Sequence, residues 1–197
     1  GSQFEFNRPE NLDYKHCELF TNRCSYTDDT IMTLAVKKAI LADADFTKTM
    51  REVGQPYPYS GYGGRFYEWM YGENPKPYNS FGNGSAMRVS FVGEHFDALE
   101  DVISMAEKSA EVTHNHPEGI KGAVVTAVCI WMARHGKTKE DIFQYVLEQY
   151  PAEKYEYSIA VPLDKLEKIL VWEVYQQQCA AFTKAIPTRA SSAMYSA

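Results

Sequence analysis

The sequence predicts an all-α fold, a compact helical bundle in a single domain. Three observations lead there. Apolar residues recur at helical spacing in four separate stretches, no stretch alternates with a period of two, and helix start and stop residues bracket the apolar stretches. With 197 residues the chain is long enough to bury a substantial core. No internal repeat divides it.

The first helix follows Thr27. Its apolar positions Ile31, Met32, Leu34, Ala35, Val36, Ala39 and Ile40 cover most of a helix surface, so the spacing predicts a central helix buried on several sides. A second, amphipathic helix is expected from Glu94 onward. There Phe96, Leu99, Ile103, Ala106 and Ala110 share one face, with Glu100, Asp101, Glu107 and Lys108 between them. Pro117 suits a first helical position, and the helix it opens runs through small residues to a stop at Arg134-His135-Gly136. Thr138 with Asp141 resembles a capping box for a last helix that carries Ile142, Phe143, Val146 and Leu147 and ends before Pro151. Two segments interrupt the pattern: Gly54 to Gly64, with Pro56, Pro58 and three tyrosines, and Gly72 to Gly84, with Pro75, Pro77, Tyr78 and Phe81. Long loops inside a domain tend to be functional, and aromatic rings beside a site can stack on a base. Equally, Tyr57, Tyr59, Tyr62 and Tyr67 can serve as cover for the edge of the core.

Composition narrows the function classes. A formal charge of −6 argues against a binder of the nucleic-acid backbone, which needs a clustered basic face. No apolar run is long enough to span a bilayer, and the first residues do not form a signal stretch. Cys17, Cys24, Cys129 and Cys179 form no Cys-x-x-Cys pair, which suits a reducing compartment. The expectation is a cytoplasmic protein with neither a nucleic-acid polymer nor a membrane as partner.

Four short motifs carry chemistry. Thr27, Asp28 and Asp29 set a hydroxyl and two adjacent carboxylates at a helix start, hard oxygen donors of the kind Mg²⁺ prefers. The same residues also fit a plain cap, with the Thr27 oxygen on a free N–H and the acids favouring the positive end of the helix. Glu5 stands among aromatics in Gly1-Ser2-Gln3-Phe4-Glu5-Phe6, where burial would raise its pKa. Gly82-Asn83-Gly84-Ser85-Ala86-Met87-Arg88 is a glycine-rich turn leading into a helix, suited to a phosphate or another polar ligand. Thr113-His114-Asn115-His116-Pro117-Glu118-Gly119 puts two imidazoles just before another helix; at spacing two they read as capping residues more readily than as zinc ligands.

Taken in order, these motifs resemble the ADP-ribosylglycohydrolase family, the Mg²⁺-dependent all-α hydrolases that include the dinitrogenase reductase-activating glycohydrolase. The resemblance runs from Gly1 to about Gly136 and implies a compact orthogonal multi-helix bundle. It implies that Thr27, Asp28 and Asp29 are metal ligands, that Asn83, Gly84, Ser85, Met87 and His114 line the substrate site, and that Glu5, Asp28 and Asp29 act in catalysis. The implied reaction removes ADP-ribose from a modified protein side chain or a related conjugate, with Mg²⁺. Arg88 is open between anchoring a helix and touching a ligand.

The family's second acidic run, Asp-x-Asp-Thr, has no counterpart here, since no Asp follows Asp164. The expectation is therefore a truncated or divergent member that lacks the C-terminal helices. Its helical domain would cover residues 1–170 and a divergent tail residues 171–197. Of the two Mg²⁺ ions usual in the family, at most one, weakly held, is expected. A second reading of the same motifs is a module that binds ADP-ribose or a protein partner without catalysis.

Overall fold

A computed structural model describes residues 16, 18 and 20–151. The described residues fall into two units, one up to Cys24 and one from Ser25 onward. In the first, a short turn is closed by the Cys24 N–H donating to the Thr21 carbonyl at 3.0 Å. The second holds seven α-helices, with no strand among the described residues: α1 Asp28–Leu41, α2 Phe46–Gly54, α3 Gly64–Tyr71, α4 Ser90–His95, α5 Leu99–Glu111, α6 Pro117–Arg134 and α7 Lys139–Gln149. A 3-10 turn, Asn83–Ser85, stands before α4. The all-α expectation holds.

Helix α1 buries Ile31, Met32, Ala35, Val36 and Ala39. At 100° per residue these five occupy one broad face, whereas Leu34 lies well off it and stays 49% exposed. The helix is therefore buried on one broad face rather than all round. It packs on α2 and α4, while α6 packs on α4 and α5. Small residues make the α4–α6 crossing close: a Cβ on Gly93 would stand 2.3 Å from the Ala127 carbonyl oxygen.

The helix expected from Glu94 onward begins later. Helix α4 ends at His95, Phe96 is extended (φ −89°, ψ 138°), and α5 opens at Leu99. The break is held by α6. Arg134 donates to the carbonyls of Glu94 at 2.7 Å and Phe96 at 2.8 Å, and the Trp131 indole donates to that of Asp97 at 2.9 Å. Carbonyls that a continuous helix would pair internally are satisfied from a neighbouring element instead. At the other boundaries the chain follows its local signals. Pro117 is the first residue of α6, Gly136 beyond its end takes φ +73°, and Thr138 and Asp141 form a reciprocal capping box on α7.

The two aromatic loops are ordered by packing. Tyr62 stacks on Phe66 at 5.6 Å and Phe66 on Trp69 at 5.2 Å, so the first loop is pinned to α3 and the core. The second loop is tied to the turn after α5. Tyr78 N–H and Ser80 N–H donate to the Thr113 carbonyl, and Asn79 N–H donates to Asn115 Oδ1 at 2.7 Å. Asn79 adopts φ +54°, a left-handed conformation that Asn tolerates better than most residues. No described helix is long and apolar enough to cross a membrane.

Candidate active site

Residues 54–64 fold back on the start of α1. The Asp28 N–H donates to the Ser60 carbonyl at 2.7 Å, and Gly61, at φ +90°, places the site of an absent Cβ 3.6 Å from Asp28 Oδ1. The Thr27 side chain makes no capping bond to the helix. Its hydroxyl instead donates to Asp29 Oδ2 at 3.3 Å. Asp28 is half-buried and Asp29 exposed.

A cavity of about 340 Å³ opens beside Asp28. Its walls come from four separated parts of the chain: Asp28, the start of α3 at Gly63 to Phe66, the loop at Tyr78 to Gly84 with Met87 and Arg88, and His114. The sequence-predicted residues Asp28, Gly84, Met87 and His114 are thus brought together. Asn83 and Ser85 are not on the wall. Asn83 closes the 3-10 turn, its carbonyl accepting from the N–H groups of Ala86 and Met87 at 3.0 Å each. Ser85 is buried, and its hydroxyl donates to the Gly119 carbonyl at 2.7 Å, fastening the turn to the first turn of α6. Glu5 lies outside the described residues.

His114 and His116 divide their tasks. His116 caps α6, its Nδ1 accepting from the Glu118 N–H at 3.1 Å. His114 is 4% exposed and faces the cavity beside Gly84, where a Cβ would meet Cε1 and Nε2 at 3.0 Å. Burial, and then the guanidinium groups of Arg88 and Arg65, push its pKa down to about 4, so the ring is neutral at pH 7.

Arg65 and Phe66 belong to no motif in the sequence, yet both line the cavity together with Tyr78 and Arg88. Arg88 is fully buried. Its Nη2 donates to the Ser109 carbonyl at 2.7 Å and to Thr113 Oγ1 at 2.9 Å, while Nε and Nη1 have no hydrogen-bond partner among the described residues. Burial lowers its pKa to about 10, which leaves it charged at neutral pH. Arg65 lies over the Tyr78 ring at 4.8 Å and donates to the Tyr78 carbonyl. The cavity lining thus carries two guanidinium groups and the Asp28 carboxylate. The reach of that carboxylate shows at Tyr62, whose hydroxyl pKa is pushed up to about 12 by burial and, next, by Asp28. Of the four tyrosines considered from sequence, none lines the cavity; Tyr59 is 98% exposed and Tyr67 leans on Tyr71 at 4.5 Å.

The metal-ligand expectation has a chemical basis here. Two carboxylates and a hydroxyl at one helix start are hard oxygen donors, and Thr27 and Asp29 already meet. No group of three or more His, Cys, Asp or Glu side chains gathers among the described residues. The trio offers oxygen donors of the type Mg²⁺ takes, and a full coordination sphere would need water or substrate oxygens as well.

Comparison with known proteins decides the family, because a model of the family described as ADP-ribosylglycohydrolase matches residues 1–196. The chain belongs to the ADP-ribosylglycohydrolase family. Its relatives include the ADP-ribosylhydrolases ARH3 of Mus musculus, 32% identical over 142 residues, of Homo sapiens, 31% over 142, and of Gallus gallus, 30% over 138. These matches cover 62%, 62% and 60% of this chain and 38%, 39% and 38% of the respective relatives, so the matched stretch spans about two fifths of the length of each. Among the described residues the scaffold is helical, and Asp28, Gly84, Met87 and His114 of the motif residues line one cavity.

Proposed function

We propose that this chain carries the ADP-ribose site of a Mg²⁺-dependent hydrolase that releases ADP-ribose from a modified protein side chain or a related conjugate. The observation that supports this reading most is the cavity of about 340 Å³ whose lining combines Asp28 with Arg65 and Arg88, together with Gly84, Met87 and His114. A ligand with an anionic diphosphate and a ribose that becomes cationic as its C1 bond breaks is served by a lining that holds both signs of charge. Arg65 and Arg88 supply positive potential for the diphosphate. Phe66 and Tyr78 supply flat apolar surface for sugar or base. His114, neutral, donates to a ligand oxygen. Asp28 supplies negative charge for the ribosyl cation that would develop.

Thr27, Asp28 and Asp29 would hold Mg²⁺. When bound, the ion polarises a ribose hydroxyl or a water at the scissile bond. Glu5, by resemblance to the family, would position water or exchange a proton. The relatives' names describe ADP-ribosylhydrolases, in keeping with this reading.

The test is calorimetric titration of ADP-ribose into the purified chain with Mg²⁺ and again with a chelator, followed by an assay for release of ADP-ribose from ADP-ribosylated protein. Metal-dependent binding with release is the expected result. Binding that ignores the metal, with no release, would replace the hydrolase by a binding module. No binding in either condition would remove both.

A further inference from the structure

His114 Nδ1 lies 2.7 Å from Thr113 Oγ1, and the direction of that bond is fixed by what stands behind it. Arg88 Nη2 reaches the same oxygen at 2.9 Å, and a guanidinium only donates. Thr113 Oγ1 is therefore an acceptor toward Arg88. Its own single hydrogen must go elsewhere in a fully buried setting, and among the described residues Nδ1 is the other polar atom within reach. Nδ1 then accepts, and the proton of a neutral imidazole resides on Nε2. The opposite tautomer would leave the threonine hydrogen without an acceptor, a costly arrangement in a site closed to water.

The surroundings of the ring keep it neutral. Arg88 approaches through Thr113, Arg65 stands at the start of α3, and the Tyr78 ring lies 6.0 Å from the imidazole. Asp28, from α1, shares the cavity with the ring. Two cations nearby oppose a second proton on the imidazole. Nε2 lies against Gly84 at the cavity wall and has no hydrogen-bond partner among the described residues.

We propose that Arg88, acting through Thr113, is a positioning residue that holds His114 in the Nε2–H tautomer, so that the cavity is offered a hydrogen-bond donor and neither an acceptor nor a base. What the donor meets rests on the reading of the cavity as an ADP-ribose site: an oxygen of the ligand, whether hydroxyl, ring or phosphate. The device selects against a ligand that presents an N–H at that position. It also assigns Arg88 a task distinct from helix anchoring.

The experiment is nitrogen-15 NMR of the imidazole side chains in the full chain, first without ligand. The wild type is expected to show Nε2 protonated and Nδ1 bare. Thr113→Val keeps the shape and removes the hydroxyl, and is expected to give a mixture of tautomers and about tenfold weaker ADP-ribose binding, the value of one hydrogen bond. Thr113→Ser should restore both. Arg88→Lys tests the first link, and the two Thr113 variants keep the proposal testable where the Arg88 variant fails to fold. An Nδ1–H signal in the wild type, or a tautomer unchanged in Thr113→Val, would overturn the proposal. A locked tautomer with no ADP-ribose affinity would support the lock and overturn the site reading. Affinity with an unlocked ring would do the reverse.

Discussion

Gly84 and His114 are in such close contact that a methyl group on the glycine would stand 3.0 Å from both Cε1 and Nε2 of the imidazole. The ring fills the space a side chain would need. Gly84→Ala is therefore expected to push the ring off its position and weaken ADP-ribose binding by roughly 1–2 kcal/mol, about five- to thirtyfold. Titration calorimetry beside a thermal melt checks this, the melting temperature moving far less than the affinity.

Neutralising the Asp28 carboxylate has a separate signature. Asp28→Asn is expected to abolish any Mg²⁺ dependence of ligand binding. It also removes one cause of the raised Tyr62 pKa, so the Tyr62 hydroxyl should titrate below its present value of about 12. Ultraviolet titration of tyrosinate, compared between the two proteins, reads the shift directly.

Stability should fall as pH falls between 6.5 and about 4 because of His114. Its pKa is about 4 in the folded chain and near the ordinary 6.5 when unfolded, so in that window the unfolded chain binds the extra proton and is favoured. The full effect is on the order of 3 kcal/mol, and it stops growing below about pH 4. Denaturant melts across this range in wild type and His114→Gln isolate the contribution, which the variant should lack.

Where α4 crosses α6, space is shorter still. A Cβ at Gly93 would lie 2.3 Å from the Ala127 carbonyl oxygen and 2.8 Å from Ile130 Cβ. Backbone cannot yield as a flexible side chain can, so Gly93→Ala is expected to cost about 1–3 kcal/mol of stability. For a chain of this size that is a drop of roughly 2–4 °C in melting temperature per kcal/mol.

Much of the scaffold was written in local signals. Pro117, Gly136 and the Thr138–Asp141 pair marked helix ends because capping chemistry depends on neighbours in sequence. The helix start after Ala98 was not readable, because its cause, Arg134 and Trp131 holding carbonyls of residues 94–97, lies more than thirty positions away. Asp28, Gly84, Met87 and His114 were legible as a set through motif order, and the cavity collects all four. Ser85 belongs to the same motif, but its hydroxyl faces Gly119, a choice made by the packing of α6. Arg88 was the hardest to place, because an arginine in a sequence suggests solvent and only tertiary structure shows this one enclosed. Arg65 and Phe66 sit on the eight-residue helix α3, too short to announce itself by periodicity.

The loop that carries Tyr78 and Ser80 is fastened to Thr113 and Asn115 by hydrogen bonds within the chain itself. A wall held by the chain's own hydrogen bonds costs little ordering entropy when a ligand binds. Association should then follow a single exponential whose rate rises in proportion to ligand concentration, without the plateau of a slow closing step, and differences in affinity among ligands should reside in how quickly each one leaves.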